Sequence, residues 1–408
     1  MILPASYTPV LGHFDLVKRL NYAAVYQVLD KEGPIARIQL SQKSQLAPAS
    51  ITKIIRSFEH IGLINEIEHQ VSTGGRRPVS LELASENFHV IGVRLGRDNL
   101  DIGLYTLNAK LLVKKNHALI YEDLVSLEEF LVHSLETFIL ENSHIIKRKI
   151  AISVTMPGII GDVVYYLPHL AVNKWDLVSK LSSHFDCQIY IGNHVRSLAL
   201  AEHYFGSTQD VRDSILISIH HGVGAGIILN GEILLGQKGN LAEIGHIQID
   251  PLGPKCHCGQ FGCLETVVAN KTIKEKVARL LDEGADTLLT RDMSITQISS
   301  LAIKNDKIAM NIIKEAGNNL GKVIAILINL LNPQKIVITG ELIQAEALLL
   351  SSIQRVVEKE SLDNFNKSTE ISIAELRHDS TLGAFALVKR RLLNGELLSQ
   401  LIEMKKTY

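Results

Sequence analysis

The sequence predicts an α/β protein that opens with a winged helix–turn–helix. Within residues 1–82, three segments with helical spacing of apolar residues precede two strand-like segments, and this is the order of a winged helix–turn–helix. From about residue 87 onward, strand-like and helix-like segments alternate, as is typical of α/β folds.

The length and the composition set the class of protein. A chain of 408 residues is too long for one ordinary core, so we expect two or three domains. Its net charge of −1 provides no overall basic field, and any contact with nucleic acid must come from a local patch. No apolar run approaches the length of a membrane span, and the N-terminal segment lacks the pattern of a signal peptide. We therefore expect a cytoplasmic protein without membrane insertion.

The N-terminal unit contains three predicted helices. Apolar residues recur at helical spacing over 15–29, and a shorter helix fits 37–44. The third helix starts near Pro48, a residue that suits a first turn, and Gly62 is a natural stop. These elements would bring a helix–turn–helix to the start of the chain.

A basic patch on this unit predicts double-stranded DNA as a partner. One face of the third helix is polar and lies opposite an apolar stripe, as a helix that reads the major groove requires. The residues on that face are Ser50, Thr52, Lys53 and Arg56. The strand-like segments 63–68 and 78–83 are joined by a loop with Arg76 and Arg77, which suit phosphate or minor-groove contact. The alternative is a solvated basic helix followed by a flexible linker.

The rest of the chain reads as strands separated by helices. Predicted strands cover 88–96, 100–107, 111–119, 150–160, 187–193, 214–222 and 335–342. Predicted helices cover 124–146, 195–205, most of 271–331 and the C-terminal segment from 382.

Three of the four cysteines, Cys256, Cys258 and Cys263, fall within eight positions. In a reducing compartment such clusters favour metal over disulfides. Three thiolates and one imidazole complete a tetrahedral zinc shell with no open position, so the site would be structural. His246 and His257 are both candidates for the fourth ligand. The alternatives are cysteines without metal and a redox centre, which the absence of a Cys-x-x-Cys motif disfavours.

The segment Glu243-Ile244-Gly245-His246, followed by Cys-x-Cys-Gly-x-x-Gly-Cys-x-Glu ending at Glu265, resembles the ROK family of sugar kinases and sugar-responsive repressors. The resemblance implies an actin-like (ribonuclease H-like) fold with two α/β lobes over a sugar cleft. It also implies that His246 is both a zinc ligand and a sugar contact. The domains would be a winged helix–turn–helix (1–82), a first lobe (83–194 with 381–408) and a second lobe (195–380).

The same resemblance implies the residues of a sugar site. They are Gly158, Asn193, His194, Glu243, His246 and Glu265. Amides and carboxylates suit the hydroxyls of a sugar because an unpaired polar group in such a site is costly. His194 departs from the family, which has Asp here. We hypothesise that an imidazole near C6 of the sugar accepts a 6-phosphate that a carboxylate would repel.

Two departures from the family pattern argue against a kinase. In the kinases, the backbone of the first phosphate loop must approach the phosphate closely, which requires small residues. In this chain the matching stretch has a single glycine between Arg94 and Arg97, two bulky residues. His194 stands where the kinases have their general base, although a histidine can also accept a proton. A glycine turn at 221–227 still resembles the second phosphate loop, and we interpret it as a feature of the fold.

The resemblance is to the repressor branch, since the family's repressors carry an N-terminal winged helix. It implies a repressor of amino-sugar (N-acetylglucosamine) uptake and catabolism genes that N-acetylglucosamine 6-phosphate releases from its operator. Near-palindromic operators imply a homodimer or homotetramer. One alternative is a regulator of glucose phosphotransferase genes that a membrane transporter controls. Another, of a different class, is an ATP-dependent sugar kinase.

Overall fold

The computed structural model describes residues 13–68, 79–168, 170–172, 174–237, 239, 241–376 and 381–404. The helices are α1 (His13–Glu32), α2 (Arg37–Ser44), α3 (Pro48–His60), α4 (Leu124–Glu141), α5 (Leu177–His184), α6 (His194–Phe205), α7 (Glu265–Val268), α8 (Asn270–Asp282), α9 (Ile295–Ile303), α10 (Lys307–Leu331), α11 (Glu346–Glu360), α12 (Asp363–Asn366), α13 (Leu382–Leu393) and α14 (Glu396–Met404). The strands are β1 (Ile35–Ala36), β2 (Ile64–Glu68), β3 (Val79–Leu83), β4 (His89–Leu95), β5 (Asn99–Thr106), β6 (Leu111–Ala118), β7 (Lys149–Met156), β8 (Ile159–Ile160), β9 (Val164–Tyr166), β10 (Gln188–Asn193), β11 (Ser214–Ile219), β12 (Val223–Leu229), β13 (Glu232–Ile233), β14 (Lys335–Gly340) and β15 (Glu370–Ile373).

The chain forms two compact units. The first contains the described parts of 1–154, 176–191 and 384–408, and the second those of 155–175 and 192–383. The N-terminal helices therefore belong to the same compact unit as the first large sheet. Among the described residues, no helix is both long and apolar enough to cross a membrane.

The first unit starts with α1 to α3 and a small antiparallel sheet in the order β1-β3-β2. The turn between α2 and α3 contains Gln45 in the left-handed conformation, and Pro48 occupies the first turn of α3. The apolar stripe predicted for α3 is its buried face. Helix α1 contains the predicted segment 15–29, and within it Tyr22 and Tyr26 are buried while Val17 and Leu20 are 43% and 53% exposed.

The two large sheets share one topology. The first unit has the order β10-β7-β4-β5-β6, in which β4, β5 and β6 form an antiparallel meander. The second unit has the order β13-β12-β11-β14-β15, in which β11 to β13 are antiparallel and β14 and β15 run parallel to β11. A three-strand meander followed by two strands added after crossovers therefore occurs twice, as in the expected actin-like fold.

Several boundaries differ from the prediction for local reasons. Helix α4 ends at Glu141 rather than near 146, because the Asn142 side chain donates to the Phe138 carbonyl and closes the last turn. The short strands β9, β13 and β15 and the helix α11 were not predicted. The three strands are too short to show a clear period and depend on neighbouring strands. Helix α11, in contrast, buries Leu349, Ile353 and Val357 at helical spacing, a signal that the sequence does contain.

Candidate functional site

The residues 246–265, here called the cysteine loop, bring one imidazole and three thiols together. The ligand atoms of His246, Cys256, Cys258 and Cys263 all lie within 4.8 Å of one another. Cys258 Sγ is 3.7 Å from Cys263 Sγ, and Cys256 Sγ is 3.5 Å from His246 Nδ1. Cys256 and Cys263 are buried, whereas Cys258 is exposed.

These distances fit a tetrahedral zinc ion. With Zn–S bonds of about 2.3 Å and Zn–N bonds of about 2.0 Å, a tetrahedron separates two sulfurs by roughly 3.8 Å and a sulfur from a nitrogen by roughly 3.5 Å. The observed sulfur–sulfur and sulfur–nitrogen distances of 3.7 and 3.5 Å agree with both values. The cluster is therefore chemically and geometrically suited to hold a metal ion.

The cysteine loop folds back on itself at residues where only glycine fits. Gly262 has φ +64°, and a Cβ atom there would lie 1.5 Å from the Asp250 carbonyl oxygen. The amides of Ile249 and Cys256 bond to the carbonyls of Gly262 and Gln260 at 2.8 and 2.7 Å. The local backbone alone thus returns Cys263 to the neighbourhood of His246.

The two histidine candidates for the fourth ligand occupy different places. His257 Nδ1 lies 2.7 Å from Glu265 Oε1 and 3.9 Å from Cys256 Sγ. The same carboxylate oxygen accepts from Cys256 Sγ at 2.9 Å. His246 Nδ1 lies 3.7 Å from the same oxygen, so His246, His257 and Glu265 form a second group of possible ligands. Of the two histidines, it is His246 that groups with all three thiols.

The surroundings favour the neutral form of two of the three thiols. Burial raises the pKa of both Cys256 and Cys263, and the hydrogen bond to Glu265 raises that of Cys256 further. A backbone hydrogen bond from Gln260 lowers the pKa of exposed Cys258. Because metals bind thiolates, an ion entering this cluster displaces protons.

Asn193 and Gly158 meet at the start of α6. Asn193 Oδ1 accepts from the amides of Val195 and Arg196 at 3.0 and 3.1 Å, and its Nδ2 donates to the Gly158 carbonyl at 2.9 Å. Gly158 has φ +111°, and a Cβ atom there would lie 2.1 Å from the Tyr166 carbonyl oxygen. Asn193 therefore caps α6, and Gly158 allows a close approach of two backbone segments. Asn193 retains one amide hydrogen that no described residue accepts.

The sequence reasoning missed Arg196, which follows the predicted sugar residues on α6. Its side chain is 5% exposed, and its Nη2 donates to the Ile160 carbonyl at 3.4 Å. Burial lowers the pKa of Arg196, and the nearby negative charge of Glu243 opposes this effect. Glu243 is exposed, and His194, the first residue of α6, is half-buried. The signal in the sequence was a single cation at the head of an apolar helical stretch.

The turn between β4 and β5, which contains Gly96, is surrounded by polar side chains. Arg94 Nη1 lies 3.4 Å from Asn99 Oδ1 and 3.5 Å from Asp101 Oδ2. Buried Asp101 also accepts from the side-chain amides of Asn99 and Asn116 at 2.9 and 2.7 Å. A Cβ atom at Gly96 would lie 2.4 Å from Asn99 Oδ1. The space beside this turn therefore holds a polar network instead of open backbone.

The polar face of α3 borders a cleft of about 460 Å³ whose lining includes Thr52, Lys53 and Arg56, and Ser50 is half-buried on the same helix. Other cations nearby are neutralised, since Arg37 pairs with Glu59 and Glu66 and Lys43 pairs with Glu32. Within the described part of the chain, neither Lys53 nor Arg56 forms an ion pair. Lys53 and Arg56 thus present two positive charges on the polar face of α3.

Arg76 and Arg77, the predicted contacts on the loop between β2 and β3, lie outside the described residues.

Comparisons of the sequence and of the structure with known proteins lead to one family. The profile of the ROK family matches residues 90–391. The DNA-binding transcriptional dual regulator NagC of Escherichia coli K12 is 47% identical over 96% of this chain and 98% of its own length. The transcriptional repressor Mlc of the same organism is 33% identical over 96% of this chain and 98% of its own length. A crystal structure of a ROK family transcriptional regulator, homologous to E. coli Mlc, superposes with a TM-score of 0.91 at 37% identity, covering 95% of this chain and 100% of that one.

Proposed function

The chain belongs to the ROK family, and we propose that it is a DNA-binding transcriptional repressor of N-acetylglucosamine uptake and catabolism genes. The observation that carries the proposal is the match to NagC, which spans 96% of the chain and therefore includes helices that the ROK profile leaves out. A relative from Shigella flexneri, also 47% identical to this chain, is named N-acetylglucosamine repressor.

The DNA-binding part is residues 1–82, acting as a winged helix–turn–helix. Lys53 and Arg56, with Ser50 and Thr52 beside them, enter the major groove, and the loop with Arg76 and Arg77 contacts the backbone or minor groove. The remaining domains are the two lobes, 83–194 with 381–408 and 195–380. Two copies bind the halves of a near-palindromic operator as a homodimer or within a homotetramer.

The effector is an amino-sugar phosphate, N-acetylglucosamine 6-phosphate, whose binding lowers operator affinity. Asn193, Glu243, His246 and Glu265 bond the hydroxyls of the ring, and Gly158 and His194 border it. Support comes from Asn193, which has a spare amide donor, and from exposed Glu243, which has spare acceptor capacity.

The cysteine loop holds a structural zinc ion through His246, Cys256, Cys258 and Cys263. When bound, zinc supplies a closed tetrahedral cross-link and no open position for substrate. Through it, the chain fixes the ring of His246 and the position of Glu265, two residues beyond Cys263. The support is the agreement of two ligand–ligand distances with a tetrahedron.

The protein is not an enzyme in this proposal. The kinase alternative is disfavoured because Arg94, Asn99 and Asp101 fill the space beside the turn where a phosphate loop offers backbone amides.

The test is a titration of operator DNA in fluorescence anisotropy with wild type and the Lys53→Ala/Arg56→Ala double variant. We expect the variant to lose roughly 100-fold in affinity, and the slope of log affinity against log salt to fall by about 0.9 for each phosphate contact removed. Lys43→Ala is the matched control, since Lys43 is a basic residue of the same unit already paired with Glu32. Equal affinity of wild type and double variant would contradict the assignment.

Release by effectors separates the regulators. N-acetylglucosamine 6-phosphate should release the operator, while glucose 6-phosphate, glucose and N-acetylglucosamine should not. Release by none of them, but by a membrane transporter, would favour the alternative regulator of glucose phosphotransferase genes. ATP-dependent phosphorylation of any of these sugars would instead identify a kinase.

The role of His194 is tested by His194→Asp. A carboxylate next to a 6-phosphate is repelled, so the variant should bind N-acetylglucosamine 6-phosphate more weakly while its operator affinity stays the same. Equal binding of the sugar phosphate to both proteins would refute the phosphate role.

A further inference from the structure

The C-terminal end of α3 is held by a residue from a distant part of the chain. The amides of Ile61, Gly62 and Leu63 bond to the carbonyls of Ser57, Glu59 and Phe58, which closes the helix locally. The Ile61 carbonyl itself accepts from Arg148 Nη1 at 2.8 Å, across 87 positions of sequence. A cation suits this place, because the C-terminal end of a helix carries partial negative charge.

Arg148 is in turn fixed to the central strands of the first sheet. It immediately precedes β7, and its carbonyl accepts from the amide of His89 at 2.8 Å, at the start of β4. Its guanidinium lies over the ring of Phe88, 5.2 Å from the ring centroid, and Phe88 is 1% exposed. The backbone that carries Arg148 is therefore held firmly, because β4 and β7 are neighbouring strands inside the sheet.

Helix α1 is attached to the C-terminal helices independently of Arg148. Lys389 of α13 pairs with Asp30 of α1, and Gln27 of α1 donates to the Leu393 carbonyl at 2.7 Å. Loss of the Arg148 contact would therefore leave α1 docked and the unit folded. Helix α3 would lose the hydrogen bond between the Ile61 carbonyl and Arg148.

We propose that Arg148 is a positioning residue for DNA recognition, which fixes the direction of α3 relative to the first sheet without itself contacting DNA. Lys53 and Arg56 lie on the same helix, one to two turns before Ile61. If the C-terminal end of α3 can move, both side chains move with it. The helix must then become ordered on binding, and this entropic cost weakens the affinity for DNA. The inference rests on the proposed function, because it assigns α3 to the operator.

The experiment compares full-length Arg148→Met, Arg148→Lys and wild type. Arg148→Met keeps an apolar chain over Phe88 but removes the donor, whereas Arg148→Lys retains a cation that reaches one carbonyl. Lys147→Met is the matched control, because the neighbouring Lys147 is exposed and its side-chain amine donates to the Asn87 side chain at 3.1 Å. Its backbone amide, which donates to His89, is kept in the variant, and the comparison is made at pH 7.5 so that protonation of His89 does not contribute. Operator affinity, its salt dependence, and hydrogen exchange of α3 in the free protein are measured for each.

We expect Arg148→Met to bind the operator roughly tenfold more weakly, Arg148→Lys to recover part of the loss, and Lys147→Met to match wild type. The slope of log affinity against log salt should not change, and amides of α3 should exchange faster in Arg148→Met than in wild type. Affinity within twofold of wild type would overturn the proposal. So would a slope reduced by about 0.9, which marks a direct phosphate contact.

The hydrogen-exchange arm separates this proposal from the proposed function. If wild type binds no operator, the proposed function fails, and the exchange of α3 still decides whether Arg148 fixes the helix. Exchange of α3 unchanged in Arg148→Met would overturn the positioning role whatever the protein binds.

Discussion

The cysteine loop and the N-terminal helices are both held by a few polar groups, but these groups reach over very different lengths of chain. In the cysteine loop, His246 and Cys263 are 17 positions apart. The N-terminal helices are held by Arg148, by Lys389 and by the Asn394 carbonyl that accepts from Arg19, across 87, 359 and 375 positions. The cysteine loop is therefore held by local contacts, whereas the N-terminal helices are held by separate long-range contacts.

The difference predicts how each region fails. Donor groups that share one ion are lost together, because an incomplete shell binds the ion far more weakly. Separate fixings are lost one at a time, and each loss leaves the others in place. A single substitution should therefore have a larger effect in the cysteine loop than among the N-terminal helices.

The largest effect is expected from Cys263→Ser. This fully buried thiol is one of four proposed zinc ligands, so the variant should lose the metal, from about one zinc per chain to near zero, measured by elemental analysis. Operator release by the sugar phosphate should be lost as well, while operator binding remains. Cys187→Ser is the control, because Cys187 lies outside the cluster, and it should keep metal and response. A zinc-free variant that still releases DNA normally would show that the loop does not shape the effector site.

The next effect is expected from Lys389→Met, which breaks the pair with Asp30. The Lys389 side chain is 7% exposed and the Asp30 side chain 22%, so the variant leaves a carboxylate largely buried without its cation. We expect a loss of about 2–3 kcal/mol in the free energy of unfolding, measured by urea denaturation.

Two further variants test the cause of that loss. Asp30→Leu/Lys389→Met should recover part of it, because both charges are gone. Lys367→Met breaks a pair whose side chains are 75% and 80% exposed, and should cost less than about 0.5 kcal/mol. A cost for Lys389→Met as small as that of Lys367→Met would mean that α1 is held by other contacts.

The same contrast explains what could be predicted from the sequence. Helix α2 occupies the predicted residues, and α3 begins at Pro48 and ends before Gly62, which has φ +71°, because caps and apolar spacing are local signals. The grouping of Cys256, Cys258 and Cys263 is likewise encoded within a few residues and two tight glycine turns.

Contacts between distant segments were beyond sequence reasoning. Nothing near Ile61 or near Arg148 shows that the two meet, since their pairing follows from where β4 and β7 lie in the sheet. The exposure of Leu20 on α1 has the same origin, because spacing predicts an apolar face without saying how far a neighbouring helix covers it. The two histidines show the same limit: both spacings are compatible with zinc, and only the family resemblance favoured His246, the imidazole that lies within 4.8 Å of all three thiols.

A smaller effect is expected at Asn193, where structure and ligand binding are combined in one side chain. Asn193→Ala removes the cap of α6 and should cost about 1 kcal/mol in the free energy of unfolding. Asn193→Asp keeps an acceptor for the amides of Val195 and Arg196 but loses the amide donor. It also loses the bond to the Gly158 carbonyl, so its free energy of unfolding is measured beside that of Asn193→Ala. If the remaining amide hydrogen serves the sugar, Asn193→Asp should weaken effector binding. Equal effector binding by Asn193→Asp and wild type would show that Asn193 caps α6 and does not contact the sugar through its amide.

The smallest effect is expected from acid, and it acts on the Arg148 contact. His89 is 1% exposed, and its Nδ1 accepts from the amide of Lys147 at 3.3 Å, next to Arg148. Burial, followed by the charge of Lys147, lowers the pKa of His89 below its usual value near 6.5. The unfolded chain therefore binds the proton more readily, and this residue's contribution to stability falls as the pH drops below about 6.5. Hydrogen exchange of α3, corrected for intrinsic rates, should speed up between pH 7.5 and 5.5 in wild type and less so in His89→Gln. His203→Gln is the control, since burial also lowers the pKa of His203, which lies in the other unit. If acid loosens α3 as much in His89→Gln as in wild type, protonation of His89 is not what weakens the long-range fixing of this helix.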